Sequence, residues 1–469
     1  MHTHTWTDYK DYFPLLLANG VTGVREMFGD METVKRIRKE INTEEINGPI
    51  IYSSGLIIDG NPPDHNGSAI AETPEEGREI VRQQIANGAE FIKVYSNLKP
   101  DVYYAIADEC KKQGIPLNGH IPTKISLKEA IASGHQGAEH FHGILEYAAG
   151  FFEPKTLDSL NASDFNIYDF FEKMSYVLDH LNDKNTQETV QLLSSNSSWV
   201  CPTLVVIEGS KKYMNPTTPL DDRLQYMPDN SISTWGLEPW EANDESRKYL
   251  NLYKRRYKEI TSLIHTLNQN KVRFLAGTDY TNPHTYPGFS LHDELEAFVR
   301  DCGFSTLEAL QTATLNPAIF MKKEAELGTV EINKLANLVL LDKNPLEDIS
   351  NTKTIEAVIV SEKYLEGEKL RDDLKAIAIE NKKPKIKEAL SKLIEEQGIE
   401  AAINEFHKLK ATQPDAYNFT GGRQLNGLGY QLLRNGKFVE AIAILKLNPE
   451  MFPDDANAYD SLGDAYTAQ

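Results

Sequence analysis

Cysteine is scarce in this chain. The three residues, Cys110, Cys201 and Cys302, are far apart and show no paired spacing, which excludes a disulfide framework and a thiolate zinc cluster. Positive charge is also short: 49 Lys and Arg stand against 69 Asp and Glu, a formal net charge of −20. Nucleic acid is therefore not an expected partner, because phosphate binding needs a surplus of cations. No apolar run approaches the roughly 18 residues of a membrane-spanning helix, so no membrane span is expected. Nor is there a leader-like segment; the chain opens on Met1-His2-Thr3-His4. A periplasmic or secreted location is the expectation if a leader precedes Met1. What remains, 40% hydrophobic and 25% charged residues over 469 positions, is the composition of a soluble globular protein of two or three domains.

Up to about residue 320, short apolar runs alternate with helical patterns. The runs are 20–27 (GVTGVREM), 49–57 (PIIYSSGLI), 91–96 (FIKVYS), 115–121 (IPLNGHI), 137–142 (GAEHFH), 198–204 (SWVCPTL) and 272–279 (VRFLAGTD). The segment at His4 supplies the end of an eighth. Stretches such as 75–87 and 101–113 between them carry apolar residues at three- and four-residue intervals, the amphipathic helix signal. Strand–helix alternation at this spacing predicts parallel βα units, and eight of them predict an α/β fold of the (β/α)8 TIM-barrel type. The polar residues agree: His4, Lys93, His120, His140 and Asp279 lie in or at the C-terminal ends of predicted strands, the ends that converge on the active face of such a barrel. The longer connections, 144–197 and 205–270 (the latter with the loop MNPTTPLDD and the aromatic run around Trp235 and Trp240), are expected to form lids or substrate walls.

From Gly328 the pattern changes. LANLVLLD (335–342) and IEAVIV (355–360) read as strands of a small partial β-sandwich segment. A Lys-rich helical linker follows at 367–390, and 391–469 reads as tetratricopeptide-like helical repeats. Leu428-Gly429 returns as Leu462-Gly463, and Gly436-Lys437-Phe438-Val439-Glu440-Ala441 matches the turn of such a repeat. A weaker copy starts near Gly398. The expected layout is thus a hydrolase barrel over 1–327, a sandwich segment over 328–366, the linker, and repeats cut short at Gln469. Repeats of this kind offer a concave surface to a protein or peptide partner.

Several residues carry chemistry. In a strand, His2 and His4 point to one side, about 7 Å apart along the chain, and can converge on one metal; incidental HxH pairs are common. Lys93 in FIKVY is either a lysine that snorkels to the strand end or a buried amine with a lowered pKa, able to add carbon dioxide and become an anionic carbamate. His120 (NGHIP) and His140 (AEHFHG) end successive strands, where the alternative is a hydrogen-bonded core histidine. His142 shares a face with His140 if the strand continues, so either is a ligand candidate. Asp279 (LAGTDY) either caps the next helix or binds metal and moves a proton.

The order HxH, Lys, His, His, Asp along successive strands resembles the amidohydrolase superfamily, in particular its binuclear members with a carboxylated lysine. GVTGVREM resembles the family's second strand. NGHIPTKISLKEAIASGHQGAEH resembles the fifth-to-sixth-strand region of imidazolonepropionase-like and Xaa-Pro-dipeptidase-like members. PGFSLHDELEAFV, ALQTATLNPA and LGTVEINKLANLVLLDKNPLEDI resemble the tail of the same group, so the likeness spans residues 1–365. It implies two divalent metal ions, Zn²⁺ by the ligand types. His2, His4 and Asp279 would hold one, His120 and His140 the other, with Lys93 as N6-carboxylysine bridging them. It further implies hydrolysis of an amide by a metal-bound hydroxide, with Asp279 as general base and then general acid. The chain departs from the family in lacking the strand that leads into HxH and the N-terminal half of the sandwich, and in having Asn337 where Asp is usual.

A small amide, dipeptide-like or cyclic amide, is the expected substrate. Tyr95, His142, Thr203, His284 and His292 are candidates to hold it, against local hydrogen bonding as the alternative. Two other readings stand beside this one. One is a mononuclear deaminase-like or imidazolonepropionase-like enzyme, which would not need Lys93. The other is a relic barrel acting as a scaffold through its repeats.

Overall fold

Strands buried on both faces need continuous apolar sequence, and the observed strands sit inside the apolar runs. The computed structural model describes every residue except 5–8, 162, 164–165, 167–168, 197, 216, 229–231, 233–234, 236–243, 420–422, 452 and 454–455; Trp240 of the second long connection lies outside the described residues. In chain order the strands are β1 (His2–Thr3), β2 (Gly23–Glu26), β3 (Ile50–Ser53), β4 (Ile58–Asp59), β5 (Ala69–Ile70), β6 (Ile92–Val94), β7 (Leu117–Gly119), β8 (His135–Glu139), β9 (Trp199–Cys201) and β10 (Arg273–Phe274). They form two parallel sheets, β1-β2-β3 and β10-β9-β8-β7-β6-β4-β5. On one side the sheets are joined by a parallel bridge between Thr3 and Tyr280, with the Asp279 N–H donating to the His2 carbonyl. On the other, the Glu90 N–H donates to the Ser53 carbonyl. The eight expected strands thus follow one another around a TIM-type barrel, and β4–β5 is a short extra pair in the loop after β3.

The helices between strands begin where sequence chemistry places a start. Thr73 with Glu76, Ser126 with Glu129 and Ser305 with Glu308 form capping boxes at helices Pro74–Ala86, Leu127–Ala132 and Thr306–Ala313. Each box satisfies two otherwise orphaned backbone donors, and each cap contributes about 1 kcal/mol. The core between strands and helices is continuous, including Ile92, Val94, Leu117, Val200, Leu204, Phe274 and Phe298. The connection after β8 folds as helices Ile144–Ala148, Pro154–Asn161, Phe170–His180 and Asp183–Ser195, and the one after β9 includes Leu204–Tyr213 and Asp244–Gln269.

The chain divides into two compact units, Met1–Asp221 with Leu237–Asp373, and Asp222–Gly236 with Leu374–Gln469. The first unit also holds the small antiparallel sheet β11 (Leu338–Leu341), β12 (Ile355–Val360) and β13 (Lys363–Glu366). One face of it buries Ile355, Val358 and Val360 with Leu17 of helix Tyr9–Ala18, while Leu340 and Tyr364 are exposed. The second unit contains helices Ile386–Gln397, Ile399–Thr412, Arg423–Arg434, Phe438–Met451 and Ala456–Ala468 around Leu390, Phe406, Leu428 and Ile444. Gly436, at φ 73°, makes the turn inside GKFVEA. The expected linker 367–390 is two helices, because Pro384 interrupts helical hydrogen bonding between Lys382 and Ile386. Among the described residues no helix is long and apolar enough to cross a membrane.

Gly119 ends β7 at φ 120°, and a Cβ there would lie 2.2 Å from the Val94 carbonyl oxygen. This close approach sets His120 beside Lys93. Gly119→Ala is expected to lower the unfolding free energy by at least about 2 kcal/mol, read from urea denaturation of the full chain. An unchanged midpoint would contradict the close approach.

Candidate metal centre

The C-terminal strand ends bring Lys93, His120, His140 and Asp279 to one face of the barrel, together with His2 and His4. β1 is only two residues long, but it is held on both sides. The Arg25 N–H donates to the Met1 carbonyl, the Met27 N–H to the Thr3 carbonyl, and the Asp279 N–H to the His2 carbonyl. His2 and His4 then converge, as the period of two requires: their Nε2 atoms are 3.3 Å apart, and lie 3.1 and 3.0 Å from Asp279 Oδ1. His140 Nε2 is 3.7 Å from Asp279 Oδ2.

A second layer fixes the imidazoles. Glu139 Oε2 lies 2.8 Å from His2 Nδ1. A carboxylate only accepts, so Nδ1 carries the proton and Nε2 keeps its lone pair. Thr203 Oγ1 meets His140 Nδ1 at 2.7 Å, and Ser96 Oγ meets His120 Nδ1 at 3.1 Å; a hydroxyl donates or accepts equally well, so these contacts orient the rings. His120 is stacked between Tyr95 and His142, with ring centroids 3.8 and 4.1 Å away, and its buried Nε2 has no hydrogen-bond partner.

Burial holds these rings neutral. It lowers the His4 pKa to about 4 and the His142 pKa to about 3, and those of His120 and His140 well below the usual histidine range. Neutral imidazole is the metal-binding form. Burial alone would raise the Asp279 pKa, but His140 and His2 outweigh it and hold the carboxyl well below its ordinary range. For Glu139 the same burial effect is overcome by Arg25 and His2. Lys93 is buried, and desolvation lowers its pKa to about 8.

This donor set fits a divalent metal. Zinc–nitrogen bonds of roughly 2.0–2.1 Å at tetrahedral angles separate ligand atoms by about 3.3 Å, close to the spacing among His2 Nε2, His4 Nε2 and Asp279 Oδ1. These three residues also form a compact group of ligand atoms, all within 4.8 Å of one another.

Not every expected residue joins this group. β8 ends at Glu139 because His140 and Phe141 take left-handed conformations, φ 58° and 62°, so strand alternation does not put His140 and His142 on one face. His140 turns to Asp279, while His142 stacks on His120 and faces a cavity. Thr203 braces His140. His292, expected near substrate, instead meets Thr352 Oγ1 through Nδ1 at 2.9 Å, fastening helix Phe289–Cys302 to residues 349–353; it is not among the cavity-lining residues. His284 Nδ1 lies 3.4 Å from the Tyr286 hydroxyl. Sequence reasoning missed Glu139, Arg25, Ser96 and His65, whose Nε2 is 2.9 Å from the Tyr95 hydroxyl. Arg25 and Glu139 had a signal: charges inside apolar strands must pair when buried.

Beside His120 and Tyr95 opens a cavity of about 830 Å³. Its walls include Phe170, Lys173, Met174, Val177 and Leu178 of the connection after β8, and Arg256 of the long helix before β10. Both long connections thus contribute to the wall of this cavity.

Comparison with known proteins agrees with this architecture. The profile of the amidohydrolase family matches residues 8–370. Ochratoxinase from Aspergillus niger is 24% identical over 377 residues, covering 71% of this chain and 62% of its own length; the chain thus spans less than two thirds of that relative. Among solved structures, the bottromycin amidohydrolase superposes with a TM-score of 0.63 at 19% identity, covering 80% of this chain and 77% of that one. A putative prolidase from Bifidobacterium longum gives 0.54 at 22% identity, covering 81% and 83%; both likenesses are of fold. With the family profile spanning most of the barrel and the small sheet, the chain belongs to the amidohydrolase family.

Proposed function

We propose that this protein is a metal-dependent hydrolase of carbon–nitrogen bonds, acting on a small amide of dipeptide-like or cyclic type. The observation that carries this reading is the convergence of His2 Nε2, His4 Nε2 and Asp279 Oδ1 within 3.3 Å of one another. Lone pairs aimed at one point in a buried site repel unless a cation lies among them. The relatives named an amidohydrolase, a prolidase and an ochratoxinase support amide cleavage.

In this reading His2, His4 and Asp279 would hold one divalent ion, Zn²⁺ by ligand type, and His120 and His140 a second. Lys93, as the N6-carboxylysine formed when Nζ bonds the carbon of CO₂ and releases a proton to solvent, would supply an anionic ligand to both. Its lowered pKa, about 8, leaves the reactive neutral amine accessible near neutral pH. When bound, the ions supply the Lewis acidity that polarises a carbonyl and makes water nucleophilic at neutral pH. Asp279 takes one proton as the water oxygen bonds the carbonyl carbon. It returns that proton to the amine nitrogen as the carbon–nitrogen bond breaks, leaving a carboxylic acid and an amine, and the acid proton then passes to the amine to give a carboxylate and an ammonium. Asn282 Nδ2, donating to Oδ2 at 3.0 Å, orients the carboxylate for this transfer. Tyr95 and His142 flank the cavity and contact the bound substrate.

A mononuclear reading has one observation in its favour: His2, His4 and Asp279 already form a compact group without Lys93. Metal content decides. The expectation is two ions per full-length chain, loss of amidase activity on chelation and its return with Zn²⁺. Lys93→Ala is expected to bind one ion or fewer and lose activity, with partial rescue by added short carboxylates; one ion per chain and an indifferent Lys93→Ala would overturn the binuclear site. A chain that binds no metal and cleaves no amide would instead favour a scaffold built on the tetratricopeptide-like helices.

Asp279→Asn is expected to lower kcat by about 10²–10⁴-fold. Steady-state kinetics at matched metal content measure this, so that a lost proton carrier is separated from a lost ligand.

Glu139→Gln keeps the shape but weakens the hold on His2 Nδ1 and leaves the Arg25 charge unmatched. Metal affinity is expected to drop by roughly 10–100-fold, measured by competition with a chelating dye. Unchanged affinity would show that the tautomer of His2 does not depend on Glu139.

A further inference from the structure

On the wall of the cavity beside the metal centre, one cation forms no ion pair with a carboxylate of the described residues. Arg256 lies in helix Asp244–Gln269, partly buried, on the cavity wall. One guanidinium N–H reaches the His140 carbonyl at 3.4 Å, and the group stands over the Phe170 ring, 5.2 Å from its centroid. Among the described residues no carboxylate forms an ion pair with it. The wall acid whose charge acts on it, Glu146, makes its close contacts elsewhere: Lys173 Nζ is 3.1 Å from Oε1, and the Gly143 N–H donates to Oε2 at 2.9 Å. A desolvated guanidinium is costly unless an anion meets it, and its planar fork matches a carboxylate. The wall next to it is apolar, through Phe170, Met174, Val177 and Leu178.

We propose that Arg256 is a specificity-determining residue that binds a carboxylate of the substrate, and that the substrate carries this carboxylate next to an apolar group, as in an N-acyl amino acid with an apolar side chain. The assignment rests on the hydrolytic reading for the scissile bond, but not for the anion. The backbone contact to His140 ties the guanidinium to a strand end of the metal centre, so a carboxylate held here lies on the substrate itself rather than on a remote effector. The guanidinium rests over the Phe170 ring, and the Lys173–Glu146 pair is close to neutral and leaves Arg256 as the attracting charge.

The test uses the full-length protein and two probes that carry no cleavable amide, 3-phenylpropanoate and 3-phenylpropan-1-ol, with binding measured by calorimetry. The wild type is expected to prefer the carboxylate by about tenfold or more. Arg256→Met should abolish that preference while leaving affinity for the alcohol within about twofold, and Arg256→Lys should keep part of it. The alcohol reports that the cavity is intact in each variant. A wild type that binds the two probes equally or binds neither, or a preference that persists in Arg256→Met, would overturn the assignment. Amide turnover is read separately. Turnover with an indifferent Arg256 refutes the anion site alone, and an Arg256-dependent preference without turnover refutes the hydrolase alone.

Discussion

The buried carboxylate of Glu139 holds the site together. It sits fully out of water between Arg25, whose Nη1 is 2.9 Å from Oε1, and His2, whose Nδ1 is 2.8 Å from Oε2. Removing Arg25 leaves a buried charge unmatched, a loss of about 3–5 kcal/mol. The pair joins β2 to β8 across the barrel and sets the tautomer of a histidine on β1. Through His2, the direction of a lone pair at the centre depends on an ion pair that never meets the substrate. Arg25 is itself placed against the Phe320 ring, 5.1 Å from its centroid, so the packing of a helix outside the barrel reaches the same histidine.

Much of this was legible in the sequence. The strands fell within apolar runs because parallel strands covered on both sides have no room for polar alternation. Lys93, His120 and Asp279 stood out because each is a polar residue in or ending such a run. The illegible parts are long-range or conformational. No spacing rule says that Glu139 meets Arg25, 114 residues away, although both were visible as charges in apolar strands. The extension of β8 to residue 142 failed because it assumed an extended backbone where His140 and Phe141 adopt positive φ. His292 was placed near substrate from its position after the last strand, yet its helix turns it toward Thr352. Arg256 lies in an amphipathic helix rich in Lys and Arg, where nothing in the local pattern separates a cavity residue from a solvent-facing one.

Four of the positive-φ residues share one location. His140, Phe141, Thr203 and Asp279, at φ between 47° and 62°, all follow the C-terminal ends of strands. None is glycine, and each such conformation costs on the order of 1–3 kcal/mol. Together they approach the net stability of a whole domain, about 5–15 kcal/mol. They persist because the core beneath them over-determines the backbone. Glu294 illustrates how: buried in helix Phe289–Cys302, it accepts the N–H groups of Leu204 and Val205 at 3.0 Å each. That pins the helix start and holds Thr203 in the conformation from which its hydroxyl reaches His140.

This arrangement separates the chemistry from the choice of substrate. The groups that converge on the centre are set by strand ends whose backbone conformations tolerate little change. The cavity wall comes from helices Phe170–His180 and Asp244–Gln269, inserted between strands and joined to the barrel by connections that bear no ligand. Substitutions in those helices can reshape the wall without disturbing His2, His4 or Asp279. One place where the two systems meet is the backbone of His140, whose carbonyl accepts from Arg256 while its ring faces Asp279. On the proposed reading, a substrate anion drawn to Arg256 acts on the same residue that helps define the centre, so that its recognition and its alignment at the metal site are coupled through that peptide group.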